Sequence, residues 1–156
     1  MAANTNPIFS ISGVLSRSSI VNGITALATS NGTAATGISG TTGEMILVAT
    51  ADATNGSYIQ RIRLRWTGSA ATSTTAVTVR LYVSTVSSGA TTSSNTYCIE
   101  EIVMGVQNAA SVTIATFPYD TTLNFILPAG STLLASVGAK PAANTEICMT
   151  LYGGNY

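Results

Sequence analysis

Three arginines recur at alternate positions in Tyr58–Trp66 (YIQRIRLRW): Arg61, Arg63 and Arg65. If this segment is extended, alternate positions share a face and the three guanidinia stand in a row, about 7 Å apart. Such a row could hold an anionic partner: a line of carboxylates on another protein, an acidic glycan, or phosphate. The plainer alternative is cross-strand pairing with Glu44, Glu100 or Glu101 on a solvated face, which adds little stability. Glu100 and Glu101 are adjacent, and neighbouring strand residues point to opposite faces. They therefore cannot flank one bond as glycosidase carboxylates do. One of the two is expected to face Arg80 or the arginine row. Asp52 with Asn55 could offer oxygens to calcium, but one carboxylate makes a weak site and no EF-hand spacing accompanies it.

Nucleophilic chemistry lacks its partners. The 156 residues include 18 serines and 25 threonines, yet no histidine and a single lysine, Lys140, beside Pro141. A hydroxyl needs a base before it attacks, and the Gly-x-Ser-x-Gly elbow is missing around Ser131. Without histidine the commonest general base and the commonest metal ligand are both gone. The sequence therefore does not read as an enzyme and implies no cofactor or metal. Tyr58, Trp66, Tyr82, Tyr97, Tyr119, Tyr152 and Tyr156 could form a sugar-stacking platform, although strand tyrosines more often bury the ring and wet the hydroxyl.

Charge is scarce: 8% of residues, six bases against six acids, where about 25% is ordinary. Neutral hydroxyls are expected to wet the surface instead. A neutral chain is a poor match for a phosphate backbone, so no nucleic-acid partner is expected. No run approaches the roughly 20 apolar residues of a membrane helix, and Met1–Ser10 lacks the pattern of a secretory signal. Synthesis in a cytoplasm is the expectation, with Cys98 and Cys148 as two buried free thiols rather than a disulfide. The sequons Asn31-Gly-Thr and Asn55-Gly-Ser then read as turns.

The elements that must position these residues are strands. Short β-rich runs occur at Glu44–Ala51, a compact apolar stretch, at Tyr58–Trp66 and Ala76–Ser84, which alternate, and at Tyr97–Met104, Val112–Phe117, Thr121–Leu127, Thr132–Val137 and Glu146–Tyr152. Period-two alternation marks strands with one buried face. In Tyr58–Trp66 it sends Ile62, Leu64 and Trp66 one way and the arginines the other. Asn55-Gly56, Gly68-Ser69, Ser88-Gly89 and Pro128-Ala-Gly130 supply turn chemistry, and Thr85–Thr96 reads as an exposed loop. The fold class is all-β: an antiparallel β-sandwich of about eight strands, jelly-roll-like, over residues 44–156. An immunoglobulin-type sandwich is the alternative, but Trp66 precedes both cysteines, which breaks its Cys…Trp…Cys order.

Residues 1–43 differ. Ile8, Phe9 and Ile11 could begin a strand and Ile20–Ala28 is interrupted by Asn22-Gly23, while Thr29–Gly43 has almost nothing to pack. This part is expected to be an irregular N-terminal arm, ordered only against a partner.

Three segments carry a resemblance: Tyr58–Gly68 (YIQRIRLRWTG), Leu123–Leu134 (LNFILPAGSTLL) and Leu151–Tyr156 (LYGGNY). Leu-Pro-Ala-Gly before a strand, with a Gly-Gly-x-Tyr ending, resembles the small jelly-roll capsid cement or decoration proteins of tailed bacteriophages. The likeness spans roughly residues 44–156 and consists of turn-and-strand patterns, so it transfers no functional residue. It implies a structural virion protein on the capsid surface, made in the host cytoplasm. Its partner would be the major capsid protein, and it would act as a homo-oligomer, a dimer or trimer. A hydroxyl-rich surface suits this, because it has few charges to desolvate on contact. The expected contacts are Arg61, Arg63 and Arg65, with the stretch around Ile8 and Phe9. A receptor- or glycan-binding module of a phage tail or fibre is the rival reading, with its site in the Thr85–Thr96 loop.

Overall fold

The computed structural model describes residues 13–20, 45–68, 76–86, 94–106, 118–137 and 145–156. Among them lie eight strands: β1 (Gly13–Ile20), β2 (Ile46–Thr50), β3 (Ser57–Gly68), β4 (Val77–Ser84), β5 (Thr96–Met104), β6 (Tyr119–Leu127), β7 (Thr132–Val137) and β8 (Thr145–Asn155). They form two four-stranded antiparallel sheets, ordered β1-β8-β3-β6 and β2-β7-β4-β5. The chain is an all-β antiparallel sandwich, as the alternation predicts. No described element is a helix long and apolar enough to cross a membrane.

Four of the pairings nest: β1 with β8, β2 with β7, β3 with β6 and β4 with β5. This is the pattern of one long antiparallel hairpin folded over on itself, so that successive pairs fall alternately in the two sheets. Inward residues of both sheets meet in one core. Ile59, Ile62, Leu64, Ile147 and Leu151 face Val79, Leu81, Leu133, Ala135 and Val137, all with no exposed surface. A smaller cluster of Met45, Tyr82 and Leu134 lies apart from that core, with Cys98 packed against it. Burial of its ring also pushes the Tyr82 hydroxyl's pKa up. β7 is buried along its whole length.

Strict alternation fails at one level of the first sheet. The register shifts between Val14 and Ser16 in β1 and between Ile59 and Arg61 in β3, opposite Leu151–Gly153 of β8. Ile59 and Ile62 can therefore both face the core. Asn124, opposite this shift in β6, has φ 47°, the left-handed conformation that asparagine tolerates better than most residues. A line of such irregularities bends and twists a sheet locally. At this level β8 has Gly153, where a Cβ would collide with the Tyr58 carbonyl oxygen.

One end of the sandwich is tied by turns that the sequence predicts. Gly130, at φ 71°, closes the turn in which Ser131 N donates to the Pro128 carbonyl at 3.0 Å. The Asp52 carboxylate accepts from Thr54 N at 2.9 Å and Asn55 N at 2.8 Å, which holds its pKa below the ordinary value. That carboxylate, considered for calcium, is thus engaged in shaping a turn. Tyr156 N bonds the Gly56 carbonyl at 3.3 Å, fastening the last residue to the same turn.

Two expectations need amending, and several lie outside what the structure describes. β1 falls inside the stretch expected to be an arm, so Gly13–Ile20 belongs to the sandwich together with residues after 44. Ile8 and Phe9, the Asn31 sequon, the expected strand at 112–117 and most of the 85–96 loop lie outside the described residues. The hydroxyls also do more than wet the surface, because every buried polar residue described is Ser or Thr. Ser84 Oγ and Thr96 Oγ1 bond at 2.7 Å, and Thr132 Oγ1 donates to the Val86 carbonyl at 2.8 Å.

Candidate functional site

β3 is an inner strand of its sheet, between β8 and β6, and this placement decides what meets the arginines. Arg61 stands opposite Tyr152 and Thr122, Arg63 opposite Thr150 and Asp120, and Arg65 opposite Cys148. Directly opposed residues of antiparallel strands share a face. The three arginines therefore do line one face, as the alternation predicts.

Their carboxylate partner is not one the sequence suggests. Arg63 grips Asp120 with two bonds, Nε to Oδ1 and Nη2 to Oδ2, both 2.8 Å. Arg61 Nη1 reaches the same carboxylate at 3.6 Å. Glu100 and Glu101 are excluded because β5 belongs to the other sheet, and the Glu44 side chain lies outside the described residues. The bond from Arg63 is the main reason the Asp120 carboxyl's pKa is lowered; the nearby charges of Arg63, Arg61 and Arg65 act in the same sense. Arg61 also lies over the Tyr152 ring, 4.1 Å from its centroid, and Arg63 stands 5.9 Å from it. A guanidinium this close to an aromatic face is held by the ring's electrostatics as well as by Asp120. Arg65 is exposed and makes no ion pair among the described residues.

Register adds a fourth arginine that sequence reasoning missed. Arg17 of β1 pairs with Thr150, which in turn pairs with Arg63. A single row across the sheet is therefore Arg17, Thr150, Arg63, Asp120. Three of the chain's six positive charges, Arg61, Arg63 and Arg65, share this face with Asp120, while Arg17 and Glu146 hold register positions on neighbouring strands of the same sheet. With three arginines against Asp120, the described side chains of this face carry an excess of two positive charges in a chain whose net charge is zero. The described residues beside the arginines on the neighbouring strands are Tyr152, Thr122, Cys148 and Thr150.

The other sheet carries the remaining described ion pair. Glu101 takes the Arg80 guanidinium, directly opposite in register, in accord with the expectation that one glutamate faces Arg80. Glu100 instead lines a cavity of about 260 Å³ at the open side of the sandwich, between edge strands β5 and β6. Its other walls include Ile99, Leu123, Phe125, Ile126 and Pro128. Exposed Tyr97 also lines it, but no tyrosine platform forms. Tyr82 and Trp66 are buried, and Tyr152 lies under Arg61.

Cys98 and Cys148 are free and lie in different sheets, each half-buried rather than buried. Burial pushes the Cys98 thiol's pKa up, which leaves it a poor nucleophile at neutral pH. Among the described residues, no three of Cys, Asp and Glu gather closely enough to hold a metal ion. Compared with known protein families, curated proteins and solved structures, the chain matches none.

Proposed function

We propose that this protein is a jelly-roll cement or decoration protein of a virus shell, binding major-capsid subunits and stiffening their contacts. The observation that carries the reading is spatial. The three segments that resemble phage decoration proteins are distant in sequence but contiguous in the fold: β3 is hydrogen-bonded to β6 on one side and β8 on the other. The Leu123–Leu134 segment is β6, the Pro128–Ser131 turn and β7, and the Leu151–Tyr156 ending closes onto Gly56. The resemblance thus follows one folded unit. The nested pairing β1·β8, β2·β7, β3·β6, β4·β5 supports the jelly-roll label, since a jelly roll is a double Greek key of eight strands.

Fold alone does not assign function, so the surface must agree. It does so in kind. The described residues offer hydroxyls, one arginine face and an apolar open side, which are the means of contact rather than of bond-making. Contacts through apolar burial and hydroxyls persist when salt varies, and many copies on a symmetric shell multiply weak ones. The test is localisation by electron cryomicroscopy of particles carrying this chain. Sandwich-shaped density bridging subunits on the outer shell is expected. Density confined to a tail or fibre would replace this reading with the receptor-binding one.

A further inference from the structure

We infer that the outer face of the β1-β8-β3-β6 sheet is a docking surface for a carboxylate-bearing protein segment, received chiefly by Arg61 and Arg65. As the segment's owner we take the shell subunit, and that part rests on the function proposed above.

The argument starts from which arginines are committed. Arg63 is already neutralised by the two-pronged bond to Asp120. Arg61 has only a 3.6 Å contact with that carboxylate, and its guanidinium carbon lies 4.1 Å from the Tyr152 ring centroid. Arg65 is exposed without an ion pair among the described residues. Two under-used guanidinia therefore flank a satisfied one, about 13 Å apart along β3 from the rise of a strand. Arg17 of β1 holds a register position in the same row as Arg63.

The face also contains its own example of the ligand. Asp120 sits on Arg63 in the fork geometry that guanidinium offers to carboxylates, so the surface accepts that group at that height above the sheet. The neighbouring positions present Thr122 and Thr150, which can bond a peptide backbone, and the Tyr152 ring lies under Arg61. An excess of two positive charges suits a segment with a few acids. It is thin for a nucleic-acid backbone, which rewards many neutralised phosphates.

The test uses the full chain with two probes: a synthetic Glu-Ser repeat peptide, and shells stripped of this protein. Arg61→Gln with Arg65→Gln should weaken peptide binding roughly tenfold, since each exposed charge pair adds only modestly. Added salt should weaken the unsubstituted chain's binding in the same direction. Asp120→Asn gives the decisive sign: it frees Arg63 and should tighten peptide binding several-fold, whereas damage to the sheet would loosen it. Unchanged circular dichroism and unfolding midpoints confirm that the arginine variants fold. Shells bound equally well by the double variant, with no peptide binding, would overturn the docking face and leave the cement reading standing. Peptide binding with the expected variant pattern, but no shell binding, would overturn the cement reading and leave the face. Tighter binding to duplex DNA than to the peptide, lost in the double variant, would overturn the choice of a protein segment.

Discussion

Arg63 of β3 and Asp120 of β6 face each other across neighbouring strands and close two parallel 2.8 Å bonds, the only bidentate ion pair among the described residues. The pair fixes two things at once. It ties the edge strand β6 to the inner strand β3, and it removes one of three aligned positive charges while leaving the outer two in place.

A pH dependence follows from this pair. Its bond to Arg63 lowers the Asp120 pKa in the folded chain, whereas an unfolded aspartate titrates near about 3.9. A carboxyl whose pKa falls on folding contributes stability that is fully present above the unfolded value. That contribution is lost as pH drops through the folded value. Asp120→Asn should therefore lower the denaturant midpoint at neutral pH, modestly because the pair is solvent-screened. The difference from the unsubstituted chain should close in strong acid. Urea titrations of both proteins across that range check it.

At Gly153 an added Cβ would strike the Tyr58 carbonyl oxygen, beside the register shift of β3. Gly153→Ala should cost about 2 kcal/mol, the scale of an overpacked core. Chemical denaturation should show a lower midpoint with an unchanged m-value. An alanine variant as stable as the parent would mean that the strands separate there at little cost.

The buried hydroxyls make a separate prediction. Thr132 has no exposed surface and its Oγ1 donates to the Val86 carbonyl. Thr132→Val keeps the shape and deletes the bond, for a loss of about 1 kcal/mol. Leu133→Ala, one residue on and facing the main core, should cost about 2 to 5 kcal/mol. The ratio of the two, read from the same unfolding experiment, separates hydroxyl bonding from apolar packing in β7.

What the sequence made legible depended on how local the cause was. The strands around Tyr58–Trp66 and Ala76–Ser84 were readable because alternation is written into adjacent residues. Asn55-Gly56 and Pro128–Gly130 were readable because each turn contains the residue its dihedral angles need. β1 was not, since GVLSRSSI has little alternation of its own and becomes a strand by pairing with β8 at the other end of the chain. For the same reason the arginine row was found without Asp120 or Arg17. Both join it through strand order, which no local pattern encodes. The buried serines and threonines were misread because composition counts hydroxyls without locating them.

The cysteines offer a simple check on strand order. Cys98 is in β5 and Cys148 in β8, on different sheets, and both are free. Mass spectrometry without reductant should find two thiols and no loss of about two daltons. Alkylation of Cys98 at neutral pH should be slow and accelerate as the solution is made alkaline, because burial raises its pKa. Rapid quantitative labelling at neutral pH would contradict that burial.

Truncation separates the sheet from whatever precedes it. Removing residues 1–12 stops short of β1 and should leave the strand-rich circular dichroism and the unfolding midpoint intact. Removing residues 1–20 takes away β1 and uncovers the edge of β8, including the backbone groups opposite Arg17, Ser18 and Ser19. An uncovered edge strand pairs readily with other chains, so this variant should self-associate or precipitate. The two deletions also divide the proposed contacts. If the Ile8–Phe9 stretch is needed for shell binding, the shorter deletion abolishes decoration with the fold preserved; if the arginine face suffices, occupancy survives it. A deletion of residues 1–20 as soluble and cooperative as the parent would mean that the sandwich does not depend on β1.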